Sequence, residues 1–177
     1  MGSAFITRRA VIGEIGMELL ADIAVNSSNS ATDITGLDIG KDDEILLIAD
    51  IVNGAGINAN YKIYFNGNYT DINYDCQLFY SDGTGHGTSR YAYPYIANVL
   101  NGNQLISRIN IKVESGGYCA YQAFVTRNIG TASVSLNTIC GSSAFTVSSI
   151  TSIRIASEET NAIGVGSRIK LYRMGGA

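Results

Sequence analysis

Apolar and polar residues alternate with period two along most of the chain. Between Gln104 and Glu114, Leu105, Ser107, Ile109, Ile111 and Val113 fall on one side and Ile106, Arg108, Asn110, Lys112 and Glu114 on the other. This is the pattern of a half-buried β-strand, whose successive side chains point to opposite faces. Glu44 to Val52 is apolar on both sides, with Ile45, Leu47, Ala49 and Ile51 against Leu46, Ile48 and Val52, and predicts a strand in the middle of a sheet. Further strands are predicted over 19–25, 61–65, 74–80, 118–126, 132–139, 150–156 and 167–172.

Glycine and asparagine punctuate these runs, for the chain has 20 Gly and one Pro. Asn66-Gly67 is the strongest turn signal, because both residues tolerate the positive φ of a two-residue type I′ hairpin. Asn53-Gly54, Asn101-Gly102, Ser115-Gly116-Gly117 and Cys140-Gly141 are weaker signals of the same kind. Many short strands without alternating helices predict an all-β fold, an antiparallel β-sandwich that is jelly-roll-like, over a βαβ sheet.

Only the beginning departs from period two. Residues 5–20 carry Arg8-Arg9 and then apolar residues broken by Gly13 and Gly16, which suits an extended or short-helical arm. The expected organisation is an N-terminal arm over 1–17 and a β-sandwich domain over 18–177, a size that one core can serve. Phe5, Ile6, Val11, Ile12 and Ile15 need a surface to cover them. That surface is either the domain's own sandwich or a neighbouring subunit on which the arm anchors.

Composition then narrows the function classes. Hydrophobic residues make up 46% and charged residues 15%, so the polar surface comes largely from Asn, Ser, Thr and Gly. A net charge of -3 provides no basic field for a nucleic-acid backbone, and nucleic acid is not an expected partner. No apolar run approaches the roughly 20 residues of a bilayer-spanning helix, and the interrupted N-terminal stretch reads as neither a membrane span nor a signal peptide. Cys76, Cys119 and Cys140 cannot all pair within one chain and show no CxxC spacing. They are expected to be reduced, buried, small hydrophobes, in keeping with folding in a cytoplasm.

Candidate catalytic groups are sparse, and the chain is not expected to be an enzyme or to use a cofactor or metal. The single histidine, His86, lies in Asp82-Gly83-Thr84-Gly85-His86-Gly87. This segment lacks the lysine and helix of a P-loop and the ligand spacing of an EF-hand, so a solvated surface loop is expected. The acids at Asp42-Asp43-Glu44, Asp71, Asp75 and Glu158-Glu159 read as solvated turn acids rather than a glycosidase pair. Asp50 stands out inside an apolar strand, as at an edge or a hydrogen-bonded interface. Asp38, Asp42 and Asp43 could offer oxygen ligands to Ca²⁺, but no spacing enforces it. Tyrosine is more informative: 11 are present and eight lie from Tyr61 to Tyr95. Tyr91, Tyr93 and Tyr95 alternate along one expected strand face beside Pro94, which suits cross-strand packing, a subunit interface or contact with a glycan.

The stretches DITGLDIGKDDEILLIADIVNGAG (33–56), YKIYFNGNYTDINYDCQLFYSDG (61–83) and ITSIRIASEETNAIGVGSRIKLYR (150–173) together resemble a group of bacteriophage structural proteins from tails, fibres or capsid appendages. The shared features are a TGLD turn, an NG turn before a Tyr-rich strand, and a terminal IGxGSxIxLY strand. The residues themselves read as architecture. Gly36 would permit a tight turn with Leu37 plugging the core edge and Asp38 accepting backbone hydrogen bonds, while Gly164 and Gly166 would allow a bend or bulge into the last strand. The resemblance implies a virion β-sandwich, folded in the host cytoplasm, that associates with copies of itself, a trimer by analogy, and with other virion proteins. It carries over no active-site residues. The alternative is a receptor- or carbohydrate-binding module at a fibre tip, with residues 82–95 as the contact surface for a host glycan.

Overall fold

The computed structural model describes residues 11–12, 16–82, 85–130 and 133–175. In chain order its strands are β1 (Val11–Ile12), β2 (Met17–Ala24), β3 (Ala31–Ile39), β4 (Glu44–Val52), β5 (Ala59–Phe65), β6 (Tyr74–Ser81) and β7 (His86–Tyr91). They continue with β8 (Tyr95–Val99), β9 (Gln104–Val113), β10 (Tyr118–Gly130), β11 (Ser133–Thr146), β12 (Ile150–Ser157) and β13 (Arg168–Met174). One turn of 3₁₀-helix, Asp71–Asn73, precedes β6. The strands form a nine-stranded sheet in the order β1-β2-β13-β4-β9-β10-β11-β6-β7 and a four-stranded sheet in the order β3-β12-β5-β8. Every pairing is antiparallel. The chain is therefore the all-β, two-sheet sandwich that its periodicity predicts.

Alternation decides which face each strand buries. Leu105, Ser107, Ile109, Ile111 and Val113 of β9 all point into the core, and Ile45, Leu47, Ala49 and Ile51 of β4 lie beside them. The four-stranded sheet contributes Tyr61, Ile63 and Phe65 from β5 and Ile153 and Ile155 from β12. Tyr121 of β10 joins the layers, with its ring 6.4 Å from that of Phe65 and its hydroxyl donating to the Tyr95 carbonyl at 3.1 Å. Its path requires Gly141 on the paired strand, where a Cβ would lie 2.5 Å from the Tyr121 ring. Cys140-Gly141 thus belongs to the interior of β11 and is not a turn.

Other expectations need correction. Asn66 and Gly67 do adopt positive φ values of 52° and 72°, yet they do not close a hairpin. β5 pairs with β12 and β8, and the chain crosses to the other sheet before β6 begins. The Asn66 side chain holds that crossing by accepting from Thr151 N at 2.7 Å and donating to the Ser149 carbonyl at 2.8 Å. Thr35-Gly36-Leu37-Asp38 lies inside β3, and the positive φ of Gly36, 73°, marks a register shift against β12 where a turn was expected. Cys76 and Cys119 are buried, but Cys140 is exposed, because Ile139 before it takes the inward position. His86 opens strand β7, so only part of the supposed loop around it is a connection. Of the arm, Val11 and Ile12 form β1 and pair with Met17 and Glu18 of β2. Phe5, Ile6 and Ile15 lie outside the described residues.

Candidate functional site

Tyr91, Tyr93 and Tyr95 do come together, though not along one strand. Tyr91 ends β7, Tyr95 begins β8, and Tyr93 stands in the bend between them. The Tyr91 ring lies 4.9 Å from those of both Tyr93 and Tyr95. Tyr95 is buried and the other two are half-buried, so packing accounts for much of this cluster.

The cluster leads onto the outer face of the four-stranded sheet, where alternation along β5 brings Lys62 and Tyr64 to the side away from the core. Lys62 is buried beside small Ala156 on β12 and Tyr95 on β8. Its ammonium lies 5.0 Å from the centre of the Tyr93 ring, meets Asp71 Oδ2 at 2.6 Å and also donates to Glu158. Tyr64 donates to the other Asp71 oxygen at 2.6 Å. Burial works against the Lys62 charge, but the hydrogen bonds and charges of Asp71 and Glu158 outweigh it and raise its pKa. Burial, then the Asp71 carboxylate, raise the pKa of Tyr64.

Arg154 of β12 extends the network. It grips Asp33 of β3 through two parallel bonds of 2.7 Å and stacks on Tyr69, its guanidinium carbon 3.8 Å from the ring centre. Tyr69 in turn meets Tyr64 edge-on at 5.8 Å. Lys62 and Arg154 carried no sequence signal for this grouping. A lysine in a strand ordinarily reads as solvent-facing, and the residues meeting here come from four separated segments. The Tyr-rich run between 61 and 95 was the one available pointer.

The outer face of the nine-stranded sheet has a different character. Ile106, Phe124, Leu136, Val134 and Phe79 lie on it and are 44–60% exposed. Registers place them together: Arg108, Phe124, Thr138 and Phe79 form one row across β9, β10, β11 and β6, and Ile106, Thr126 and Leu136 the next. Ile48 and Asp50 of β4 extend these rows. Asp50 therefore sits in a central strand, outside the core, where it accepts from Gln104. Arg108 makes no ion pair with another described residue. Toward the other end of the strands, Ala120 leaves a hollow of about 420 Å³ bordered by Lys112, Gln122 and Cys140.

The remaining sequence candidates are dispersed. Asp43 accepts from Gly40 N at 2.8 Å and pairs with Arg173 at 3.0 Å, and the Asp38 carbonyl accepts from Arg173 at 2.6 Å. Asp75 pairs with Arg90 at 3.4 Å. No group of three or more His, Cys, Asp or Glu placed to hold a metal occurs among the described residues, nor does a helix long and apolar enough to cross a membrane. The fold and surface define a class, a two-sheet β-sandwich with an apolar outer face on its large sheet and a tyrosine–ion network on its small one. Comparison with protein-family models, with curated proteins and with solved structures finds no match.

Proposed function

We propose that this protein is a non-enzymatic structural component that associates with copies of itself through the outer face of the nine-stranded sheet. The bacteriophage virion is the setting that the sequence resemblance implies. The contiguous exposure of Ile106, Phe124, Leu136, Val134 and Phe79 across four neighbouring strands carries the reading. Contiguous apolar surface on such a scale is costly in water and marks contact surfaces. With β4 added, five strands spaced by ~4.8 Å and nine residues long at ~3.4 Å each present roughly 700 Å², close to the ~800 Å² per partner of a standard protein interface.

A second copy suits this face because it is self-complementary. Arg108 and Asp50 are diagonal neighbours on β9 and β4, with Ile48 and Ile106 completing the quartet. In a two-fold contact, Arg108 of one copy can meet Asp50 of the other while the isoleucines pack together, as reciprocal pairing in an isologous interface requires. On the small sheet's outer face, Asp33, Asp71 and Glu158 are each engaged by arginine or lysine, which disfavours their use as a free acid–base pair.

Sedimentation of the full chain tests the reading. The expected result is an oligomer that Phe124→Asp or Leu136→Asp dissociates while the circular dichroism spectrum stays unchanged. Twice the chain mass supports the two-fold contact, and three times the mass would require this face to meet a different surface of its neighbour. A wild-type chain that remains monomeric at its highest soluble concentration would overturn the proposal.

A further inference from the structure

We infer that the outer face of the four-stranded sheet, where Tyr64, Tyr69 and Tyr93 are interleaved with Lys62, Arg154, Asp33, Asp71 and Glu158, is a binding site for a neutral hexose glycan. This surface lies on the opposite side of the sandwich from the apolar face, so it serves a separate contact.

Three features support a sugar as the occupant. The first is chemistry: a pyranose offers hydroxyls that both donate and accept, together with an apolar C–H face. Carboxylates beside fixed cations and phenols provide both hydrogen-bonding senses, and tyrosine rings provide an apolar surface with a polar tip. Glu158, with 70% of its side chain exposed, and Tyr69, at 45%, present these groups to solvent.

The second is shape. The row Asp33–Arg154–Tyr64 crosses β3, β12 and β5, and the next row in register is Ala31–Ala156–Lys62. Ala31 and Ala156, both half-buried, set small side chains beside this row of longer ones. The third is order before binding. Both Asp71 oxygens are already held, one by Lys62 and one by Tyr64, and Asp33 is held at both oxygens by Arg154. Groups fixed in advance lose little conformational freedom when a ligand arrives, which is how a small polar site gains affinity. Three carboxylates against two cations disfavour an anionic sugar.

The test is a titration of the full chain, followed by tyrosine fluorescence, with tetrasaccharides of glucose, galactose, mannose and N-acetylglucosamine and with a sialylated tetrasaccharide. At least one neutral sugar should bind saturably and better than the sialylated one. Tyr69→Ala and Glu158→Ala should each weaken that binding by about tenfold or more, the scale of one lost stacking or charge-assisted contact. Lys41→Ala, an exposed position in the turn between β3 and β4 and outside both surfaces, should leave it unchanged, and circular dichroism verifies the fold of each variant. The inference is overturned if no neutral tetrasaccharide binds, if the sialylated sugar binds best, or if binding persists undiminished in folded Tyr69→Ala and Glu158→Ala chains.

Discussion

Cys119 lies wholly within the core, and burial pushes its thiol pKa up to about 11. Burial also raises Cys76 and the phenols of Tyr61, Tyr64, Tyr74, Tyr95 and Tyr121. In each case the neutral form is favoured in the folded chain, so these groups ionise first when the chain unfolds. Their contribution to stability is fully present below the unfolded thiol pKa of 9.0 and is lost as pH rises toward the folded values. Lys62 acts in the same sense, because its raised pKa means that deprotonation costs more in the folded state. Each group contributes a slope of at most about 1.4 kcal/mol per pH unit while only its unfolded form has titrated. The thermal midpoint should therefore hold steady from neutral pH to about 8 and fall progressively above about 9. A midpoint unchanged to pH ~11 would show that these groups titrate alike in both states.

Asn53 shows at residue scale why part of the molecule was hidden from sequence. It reads as an ordinary turn former before Gly54, yet it is buried and donates to the carbonyls of Ile57, Val99 and Leu100 while accepting from Ala55 N. Its partners at the end of β8 and just beyond it are 46 and 47 positions away. Local propensity names a residue's conformation but not its distant partners. The same limit hid Lys62, whose partners Asp71 and Glu158 lie 9 and 96 positions away.

At the scale of elements, alternation was highly legible, and connections less so. β9 and β4 occupy the faces and the interior position that their patterns predict, because period two follows directly from the pleat. β7 was obscured by the glycines around His86, and β3 by Gly36, since a glycine in a strand reads as a stop until its partner strand is known. The glycines of the 53–58 and 158–167 connections show the converse. Gly164 and Gly166 were both expected to bend the chain, but only Gly166 has a positive φ, 90°. A Cβ on Gly54 would lie 2.8 Å from the Asn161 carbonyl oxygen, and one on Gly164 would lie 2.9 Å from that of Val52. The two connections thus cross backbone on backbone, with Gly54 N donating to Ala162 O and Gly164 N to Val52 O. Gly54→Ala or Gly164→Ala should cost about 1–3 kcal/mol, the usual penalty for overpacking a tight site. Alanine at Gly56, which meets nothing within 4 Å, separates steric crowding from the strain of its positive φ of 77°. Denaturant titration measures all three. If the crowded sites tolerate alanine as readily as an exposed surface position, the close crossing does not constrain the fold.

For the molecule as a whole, the two sheets present unlike outer surfaces around one shared core. The large sheet offers an apolar expanse suited to another copy, and the small sheet a hydrogen-bonding surface suited to a sugar. On the two proposals above, this division would assign assembly to one sheet and attachment to the other. The face assignments needed strand order, because Ile106, Phe124, Leu136 and Phe79 are scattered in sequence and adjoin only through the registers of β9, β10, β11 and β6.

Strand order also sets a schedule for synthesis. β13 comes last in chain order among the described strands, yet it lies between β2 and β4, and its Ile169 and Leu171 are fully buried. Until it emerges from the ribosome, β1 and β2 have no bridge to the rest of the large sheet, and β4 has an unpaired edge beside its apolar inner face. The architecture thus requires completion after translation has supplied Arg168–Met174, and long-range pairing of this kind is slow. Nascent chains stalled with those residues still inside the exit tunnel should be readily digested by protease, whereas released chains should resist. Equal resistance in the stalled chains would show that the sheet can close without its late central strand. Such a schedule leaves the growing chain dependent on protection from aggregation until β13 is free.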